Sequence, residues 1–403
     1  MMDSRAILHM DLDTFFVSCE RLQDSSLENK PILIGGTSGR GVVASCSYEA
    51  RKYGVHSAMP MKMARDRCPE AIVLKGDSML YSKYSQMVGE IIKEAAPVYE
   101  IASIDEFYLD LTGMDKFFGC LKYASELRTK IIRETGLPIS FGLSQNKTVS
   151  KIATGEAKPN NQIRIDLGTE KEFLSPLSVR KIPMVGLKTF QTLCEMGIRR
   201  INTVQNMPIQ MMEGALGQNG VAIWKKANGI DTSPVVQYNK QKSISSERTF
   251  DKDTIDVTRL KSILVAMVES LILQLRRENK VCACITVKIR YSDFDTKTLQ
   301  KKVPYTAADH EILPIVAGLF DKLYNRRVLV RLIGLRFSEL VQGSHQFSLF
   351  EDSPKLTSLY QSMDHIRDRF GDRAVMRASG MEIKSMSRMN PFNGKNQQTD
   401  GTF

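Results

Sequence analysis

Two acidic clusters, each set against an apolar stretch, restrict the folds open to this chain more than any other feature. Ala6 to Met10 is apolar enough for a short strand and runs directly into Asp11-Leu12-Asp13. Thr14-Phe15-Phe16-Val17 follows and can open a helix, so a carboxylate pair is predicted at a strand's C-terminal end. The second cluster, Asp105-Glu106, lies inside Tyr99 to Leu111, which reads as two strands meeting at the acids and places them on a hairpin. A lone acid at either place would ordinarily be a turn former or a helix cap. Two clusters on neighbouring strands point further, toward a shared site.

The rest of the chain alternates in the same way. Lys30 to Ile34 and Gly41 to Ser45 read as strands joined by the glycine-rich segment 35–41. That segment lacks the Lys-Ser/Thr ending of a phosphate-binding P-loop and reads as a hairpin connection. A helix is predicted over 117–134, a strand from Pro138, and a helix over 147–157 that ends before Lys158-Pro159. Strands and helices alternating around hairpins predict an α+β fold with a ferredoxin-like sheet. Residues 169–235 read as short helices with glycine turns, among them Ile182 to Thr189, which resembles a helix-hairpin-helix. The polar segment 237–242 reads as a linker.

Beyond it, Leu260, Ile263, Leu264, Met267, Leu271 and Leu275 mark one helix face. In the strand predicted over 281–291, apolar Val281, Ala283, Ile285, Val287 and Ile289 alternate with Cys282, Cys284, Thr286, Lys288 and Arg290, so one face can pack while Lys288 and Arg290 face outward. A further amphipathic helix is marked by Leu356, Leu359, Tyr360, Met363, Ile366 and Phe370. Residues 389–403 lack periodicity and read as a disordered tail.

Composition narrows the function. At 403 residues, two or more domains are expected. Lys and Arg outnumber Asp and Glu by 56 to 45, for a formal charge of +11, which favours a polyanionic partner. No apolar run approaches the roughly 18 residues of a spanning helix, and the opening residues carry no secretory signal. A soluble, cytoplasmic protein without a membrane partner is expected. The seven cysteines are scattered and odd in number, as suits a reducing compartment, and read as small core fillers, and Cys282 and Cys284 have no second pair at zinc spacing.

Extending a nucleic acid requires a primer hydroxyl to attack an α-phosphate, and two Mg²⁺ ions held by carboxylate oxygens can stabilise the attacking and leaving oxygens. Asp11, Asp105 and Glu106 can hold them if the two strands lie side by side. Seven segments in order carry a resemblance to the Y-family DNA polymerases, most nearly the bacterial DNA polymerase IV branch, over residues 5–345. They are Met10-Asp-Leu-Asp-Thr-Phe-Phe, Ser47-Tyr-Glu-Ala-Arg-Lys-Tyr-Gly-Val, Ser57-Ala-Met-Pro, Ser103-Ile-Asp-Glu, Phe141-Gly-Leu-Ser-Gln-Asn-Lys, Ala157-Lys-Pro-Asn and Lys242-Ser-Ile-Ser-Ser-Glu-Arg-Thr-Phe.

The resemblance implies a right-hand polymerase. Its palm would take 1–19 and 78–166, small fingers 20–77, a helical thumb 167–236, a linker 237–242, an α+β little finger 243–342 and an extension 343–388. It implies Asp11, Asp105 and Glu106 as ligands for two Mg²⁺, with the Leu12 carbonyl assisting and Glu106 near the primer hydroxyl. Asp13 and Asp110 would be structural. Tyr48, Arg51 and Lys158 would hold the incoming dNTP's triphosphate. Phe16 would be the steric gate that excludes a 2′-hydroxyl, with Phe15 in the core.

Gly186 and Lys188 in the thumb turn, and Lys288 and Arg290 in the little finger, would contact primer-template DNA. Lys297, Lys301 and Lys302 on the next strand would join Lys288 and Arg290 in tracking phosphates. Where the family usually has Gly-x-Gly in the thumb turn, this chain has Met184-Val-Gly186. Gln346, Leu349 and Phe350 resemble a sliding-clamp peptide. The reading is therefore a low-fidelity, lesion-tolerant, template-directed DNA polymerase, acting as a monomer and without a proofreading exonuclease. A nucleotidyl cyclase would not need the hairpin-helix or the basic little finger. A non-catalytic DNA-binding descendant should have lost one of the three acids, and none is missing.

Overall fold

The apolar N-terminal run forms β1 (Ile7–Leu12), which extends two residues past Met10 and so carries Asp11 within the strand. A computed structural model describes residues 5–114, 119–237, 241–343 and 353–380. The tail 389–403 and the peptide residues Gln346, Leu349 and Phe350 lie outside these. The chain divides into two compact units between residues 239 and 240.

In the first unit, Thr14 takes a left-handed conformation (φ 42°) and turns the chain from β1 into α1 (Phe15–Gln23). A three-stranded sheet follows, made of β2 (Ile32–Gly35), β3 (Val43–Cys46) and, beyond α2 (Tyr48–Arg51) and α3 (Met61–Arg67), β4 (Ile72–Leu74). The antiparallel β2–β3 pair is the hairpin expected around the glycine-rich loop. α4 (Ser78–Ala95) returns the chain to the main sheet through β5 (Tyr99–Ile101) and β6 (Glu106–Asp110). α5 (Cys120–Thr135), β7 (Ile139–Ser144), α6 (Lys147–Ala157) and β8 (Gln162–Arg164) complete it. The strand order is β5-β6-β1-β7-β8, so β1 is central and fully flanked.

Leu8, Met10, Phe107, Leu109, Phe141 and Leu143 fill the core on one face of this sheet. On the other face α6 packs against β1 and β7, and Gly142 permits the close approach. A Cβ at Gly142 would lie 2.3 Å from the Ser150 carbonyl oxygen. Five short helices follow: α7 (Glu170–Leu174), α8 (Leu187–Glu195), α9 (Ile201–Gln205), α10 (Ile209–Leu216) and α11 (Gln218–Ala227). They close their own small core around Leu174, Leu193 and Val204.

The second unit is built on an antiparallel sheet. β9 (Ser243–Thr254), α12 (Val257–Arg277), β10 (Lys280–Tyr291), β11 (Thr296–Thr306), α13 (Asp309–Leu323) and β12 (Val330–Ser338) give the order β11-β10-β12-β9, with β13 (Val341–Gln342) on the start of β10 and with α12 and α13 packed against the sheet. The predicted face of α12, Leu260 through Leu275, is buried on this sheet.

Cys282 and Cys284 are buried along with their apolar neighbours, as core fillers, and burial in β10 alternates only from Ile285 onward. One expectation is corrected here. Lys297 and Lys301 pair with Ile289 and Ile285, which puts them on the face opposite Lys288 and Arg290. In the same unbroken register Lys302 lies opposite Cys284, on the Lys288 face, and a bulge follows only between Cys284 and Cys282.

The last predicted helix is α14 (Ser353–Phe370), which belongs to the second unit. Of its marked residues Tyr360 is buried and Leu356 and Met363 are half-buried, whereas Leu359, Ile366 and Phe370 are exposed, and Asp364 and Arg367 also face inward. Arg276 of α12 donates to both Asp364 oxygens, at 2.5 and 2.9 Å, and buried Arg367 lies 3.7 Å from buried Glu269. The docked side of α14 therefore combines part of its apolar stripe, Tyr360 under the Arg276 guanidinium, with charges that pair to α12. Once desolvated, such groups must be paired.

Candidate active site

The register of the main sheet decides which acids meet. β1 pairs β6 antiparallel with Asp11 opposite Glu106, and the Leu12 N–H donates to the Asp105 carbonyl oxygen at 3.0 Å. Two clusters more than ninety residues apart in sequence thus share one end of the sheet. Asp105 lies in the turn ahead of β6, where Ser103 Oγ donates to its Oδ1 at 2.6 Å. The same hydroxyl accepts from the Glu106 N–H at 3.1 Å and so shapes the turn.

α6 and the residue after it bring a row of lysines onto these acids. Lys158 Nζ lies 2.5 Å from Asp11 Oδ1 and 3.6 Å from Asp13 Oδ1. Lys151 Nζ donates to both oxygens of Glu106, and Lys147 Nζ to both oxygens of Glu100 at 2.7 Å. Lys151 and Lys147 are four apart on one helix face, a signal available in the sequence once 147–157 is read as a helix. Beneath them His9 is buried. Its Nδ1 shares a 2.8 Å hydrogen bond with Thr154 Oγ1, and burial, reinforced by the three lysines, holds its pKa well below the usual imidazole value.

Burial pushes the Asp11 carboxyl up to about 7. Lys158 opposes this, and nearby Asp105 and Glu106 add to it. Asp105 is raised too, by burial first and by Glu106 among its neighbours. Like charges crowded in a low-dielectric pocket need a cation. Lys151 and Lys158 supply that charge, and among the described residues no three Asp, Glu, His or Cys side chains converge as a ready-made cage. The donors are all carboxylate oxygens, the type that hard divalent cations take, so Asp11, Asp105 and Glu106 fit such an ion in exchange for the ammonium groups.

Tyr48 opens α2 and its hydroxyl is buried without a hydrogen bond. Burial raises its phenol above the usual range, with Asp13 the next largest influence. Arg51 is exposed at the end of α2, its guanidinium 4.8 Å from the Tyr48 ring centroid. Phe15 and Phe16 are both buried, and Phe16 stacks on Tyr81 at 4.2 Å with the rings 13° apart. Tyr81 lies far from any acidic motif in sequence and carries no chemical signature. Gly186 caps α8, Lys188 is exposed in its first turn, and Met184 sits two residues before Gly186 in the left-handed region (φ 82°) with its side chain in solvent.

In the second unit Lys288 pairs with Glu247 at 2.8 Å, reaching across β12 over Gly334, where a Cβ would come within 2.9 Å of Glu247 Cγ. Arg290 donates to Thr296 Oγ1 at 2.8 Å. Arg336, not foreseen from the sequence, is exposed on the same sheet face, opposite Thr286. No helix among the described residues is long and apolar enough to cross a membrane.

Comparison with known proteins converges on one family. The impB/mucB/samB family profile matches residues 10–155, and the impB/mucB/samB family C-terminal domain profile matches residues 241–349. A DNA polymerase IV of Dehalococcoides mccartyi (strain CBDB1) is 36% identical over 389 residues, 96% of this chain and 100% of that protein. DNA polymerase IV 2 of Methanosarcina mazei is 35% identical across 87% of this chain and 97% of its own length. Among solved structures, the Y-family DNA polymerase chimera Dbh-Dpo4(243-245)-Dbh superimposes with a TM-score of 0.75 at 26% identity, covering 84% of this chain and 100% of its own. The insertion ternary complex of Dbh DNA polymerase gives 0.61 at 25% identity, with the same coverage of both chains.

Proposed function

The chain belongs to the impB/mucB/samB family of Y-family DNA polymerases and is a DNA-directed DNA polymerase of the translesion kind, from which we propose that it extends primers through Asp11, Asp105 and Glu106 as the metal-binding acids. The observation that carries this is the β1–β6 register, which sets Asp11 beside Glu106 and hydrogen-bonds Leu12 to Asp105.

In this reading two Mg²⁺ ions, when bound, supply Lewis acidity at the attacking and leaving oxygens, and the Leu12 carbonyl adds a ligand. Glu106 lies nearest the primer hydroxyl. Lys158, Tyr48 and Arg51 bind the triphosphate, offering an ammonium, a phenol and a guanidinium against the charge that builds on pyrophosphate. Phe16, backed by Tyr81, occupies the space a 2′-hydroxyl would need. Gly186 and Lys188 grip one stretch of the primer-template backbone and Lys288 and Arg290 another.

The fuller proposal is a cytoplasmic monomer of low fidelity, without a proofreading exonuclease, built from the palm, fingers, thumb and little finger at the boundaries expected from sequence. It would be recruited to a sliding clamp through residues 346–350, which lie outside the described residues.

The decisive experiment is primer extension on a defined template with Mg²⁺ and dNTPs, comparing the wild type with Glu106→Ala. Template-directed extension that disappears in the variant supports the assignment. Extension that persists in Glu106→Ala removes Glu106 from the chemistry, and a wild type that binds primer-template yet never extends it leaves a DNA-binding protein.

A further inference from the structure

Asp13 is the most enclosed acid near the site, only 1% exposed, and each of its polar atoms has a distinct neighbour. Its N–H donates to the Pro138 carbonyl oxygen at 2.9 Å, and its own carbonyl oxygen accepts from Ser18 Oγ at 2.8 Å, so the backbone is held on both sides. Oδ2 accepts from Ser140 Oγ at 2.8 Å and from the Asn160 N–H at 2.6 Å. Asn160 follows Lys158 by two residues, has a left-handed backbone (φ 47°) and is gripped again by Arg128. The turn that aims Lys158 is therefore tied to the end of β1 through one carboxylate oxygen.

The other oxygen is different. Oδ1 is buried and accepts no hydrogen bond, yet it lies 3.6 Å from Lys158 Nζ. The Tyr48 hydroxyl is also buried and makes no close hydrogen bond, and Asp13 is the charged group with the greatest effect on its phenol, acting by its charge and through a side-chain interaction. A buried charge with one free oxygen is costly, so its retention calls for an explanation. Lys158 now spends its closest contact on Asp11. An acid committed to a metal cannot also hold that ammonium, and the anion that remains within reach of Lys158 is Asp13.

We propose that Asp13 is a positioning residue for the incoming nucleotide: Oδ2 fixes the turn carrying Lys158, while Oδ1 orients the Lys158 ammonium and the Tyr48 hydroxyl toward the triphosphate. This rests on the reading of Lys158 and Tyr48 as triphosphate contacts. Asp13 touches neither substrate nor reacting atoms; it acts through those two side chains.

The test is a double-mutant cycle in the full chain, with steady-state incorporation of one dNTP on primer-template. Asp13→Asn is isosteric. Its carbonyl can still accept from Ser140 and Asn160, but its amide turns a donor toward Lys158. The expected result is a KM for dNTP raised about tenfold (~1.4 kcal/mol) with kcat changed much less, and an unaltered melting midpoint and primer-template affinity. Lys158→Ala should raise KM by itself, and adding Asp13→Asn to it should raise KM little further.

A KM effect of Asp13→Asn that multiplies undiminished onto Lys158→Ala overturns the proposal, as does an unchanged KM in Asp13→Asn alone. A lowered melting midpoint with kcat and KM both damaged assigns Asp13 a purely structural role and overturns it too. An unchanged KM in Lys158→Ala instead overturns the nucleotide reading on which the proposal stands. If Asp13→Asn does not fold, Tyr48→Phe replaces it in the cycle, since that change leaves both Oδ2 bonds intact; full additivity with Lys158→Ala is then the overturning result.

Discussion

Lys151 Nζ lies 2.6 Å from one oxygen of Glu106 and 2.5 Å from the other, so the acid proposed to sit nearest the primer terminus is neutralised by a helix that packs on β1 and β7 and reaches across to β6. A cation bound there must displace this ammonium. Lys151→Met should tighten binding of Ca²⁺, used as a non-reactive probe, by roughly fivefold, for a partly solvated pair worth ~1 kcal/mol. Calorimetric titration checks this. Weaker Ca²⁺ binding in the variant would show instead that Lys151 helps assemble the acids.

The raised Asp11 pKa has a consequence for the metal-free protein. The unfolded chain releases this proton near pH 4, whereas the folded chain keeps it up to about 7. The stability that this one group contributes is therefore fully present below pH 4 and lost as pH climbs through that window, by up to ~1.4 kcal/mol per pH unit. With EDTA present, the melting midpoint should fall between pH 5 and pH 7, and Asp11→Asn should flatten the decline.

Phe16 is held in place by its stack on Tyr81. Phe16→Ala should raise ribonucleotide incorporation relative to deoxynucleotide by at least about tenfold, the effect of losing ~1.4 kcal/mol of discrimination. It should also cost ~3 kcal/mol of stability, because a buried ring is deleted. Unchanged sugar selectivity, measured with matched rNTP and dNTP pairs, would confine Phe16 to the core.

Glu247 occupies Lys288 on the exposed sheet face of the second unit. Glu247→Gln should free that ammonium for a phosphate, strengthening primer-template binding and steepening the slope of log Kobs against log salt by about 0.9. Fluorescence anisotropy over a salt series provides the measurement. An unaltered slope would mean that Lys288 does not contact DNA.

Met184 holds a left-handed conformation with its side chain in solvent. Met184→Gly should therefore stabilise the protein by ~1 kcal/mol, seen as a small rise in melting midpoint. If DNA binding also strengthens, the side chain was keeping a phosphate from the turn.

Local chemistry was enough to reveal much of this protein. Apolar runs ending in acids, helices closed before Lys158-Pro159 and the glycine-rich hairpin are patterns that a few neighbouring residues determine, and the structure has β1, α6 and the β2–β3 pair where the sequence puts them. Partners distant in sequence were decided only by tertiary structure. Gly142 lets α6 sit close enough to the sheet for Lys151 to reach Glu106, and no local pattern states that distance. Strand register put Lys297 and Lys301 on the opposite face from Lys288, because a period of two fixes alternation within a strand but not alignment between strands. Partners on α12 turned Asp364 and Arg367 of α14 inward beside buried Tyr360 and left Leu359, Ile366 and Phe370 in solvent, because desolvated charges must be paired and no local pattern names those partners.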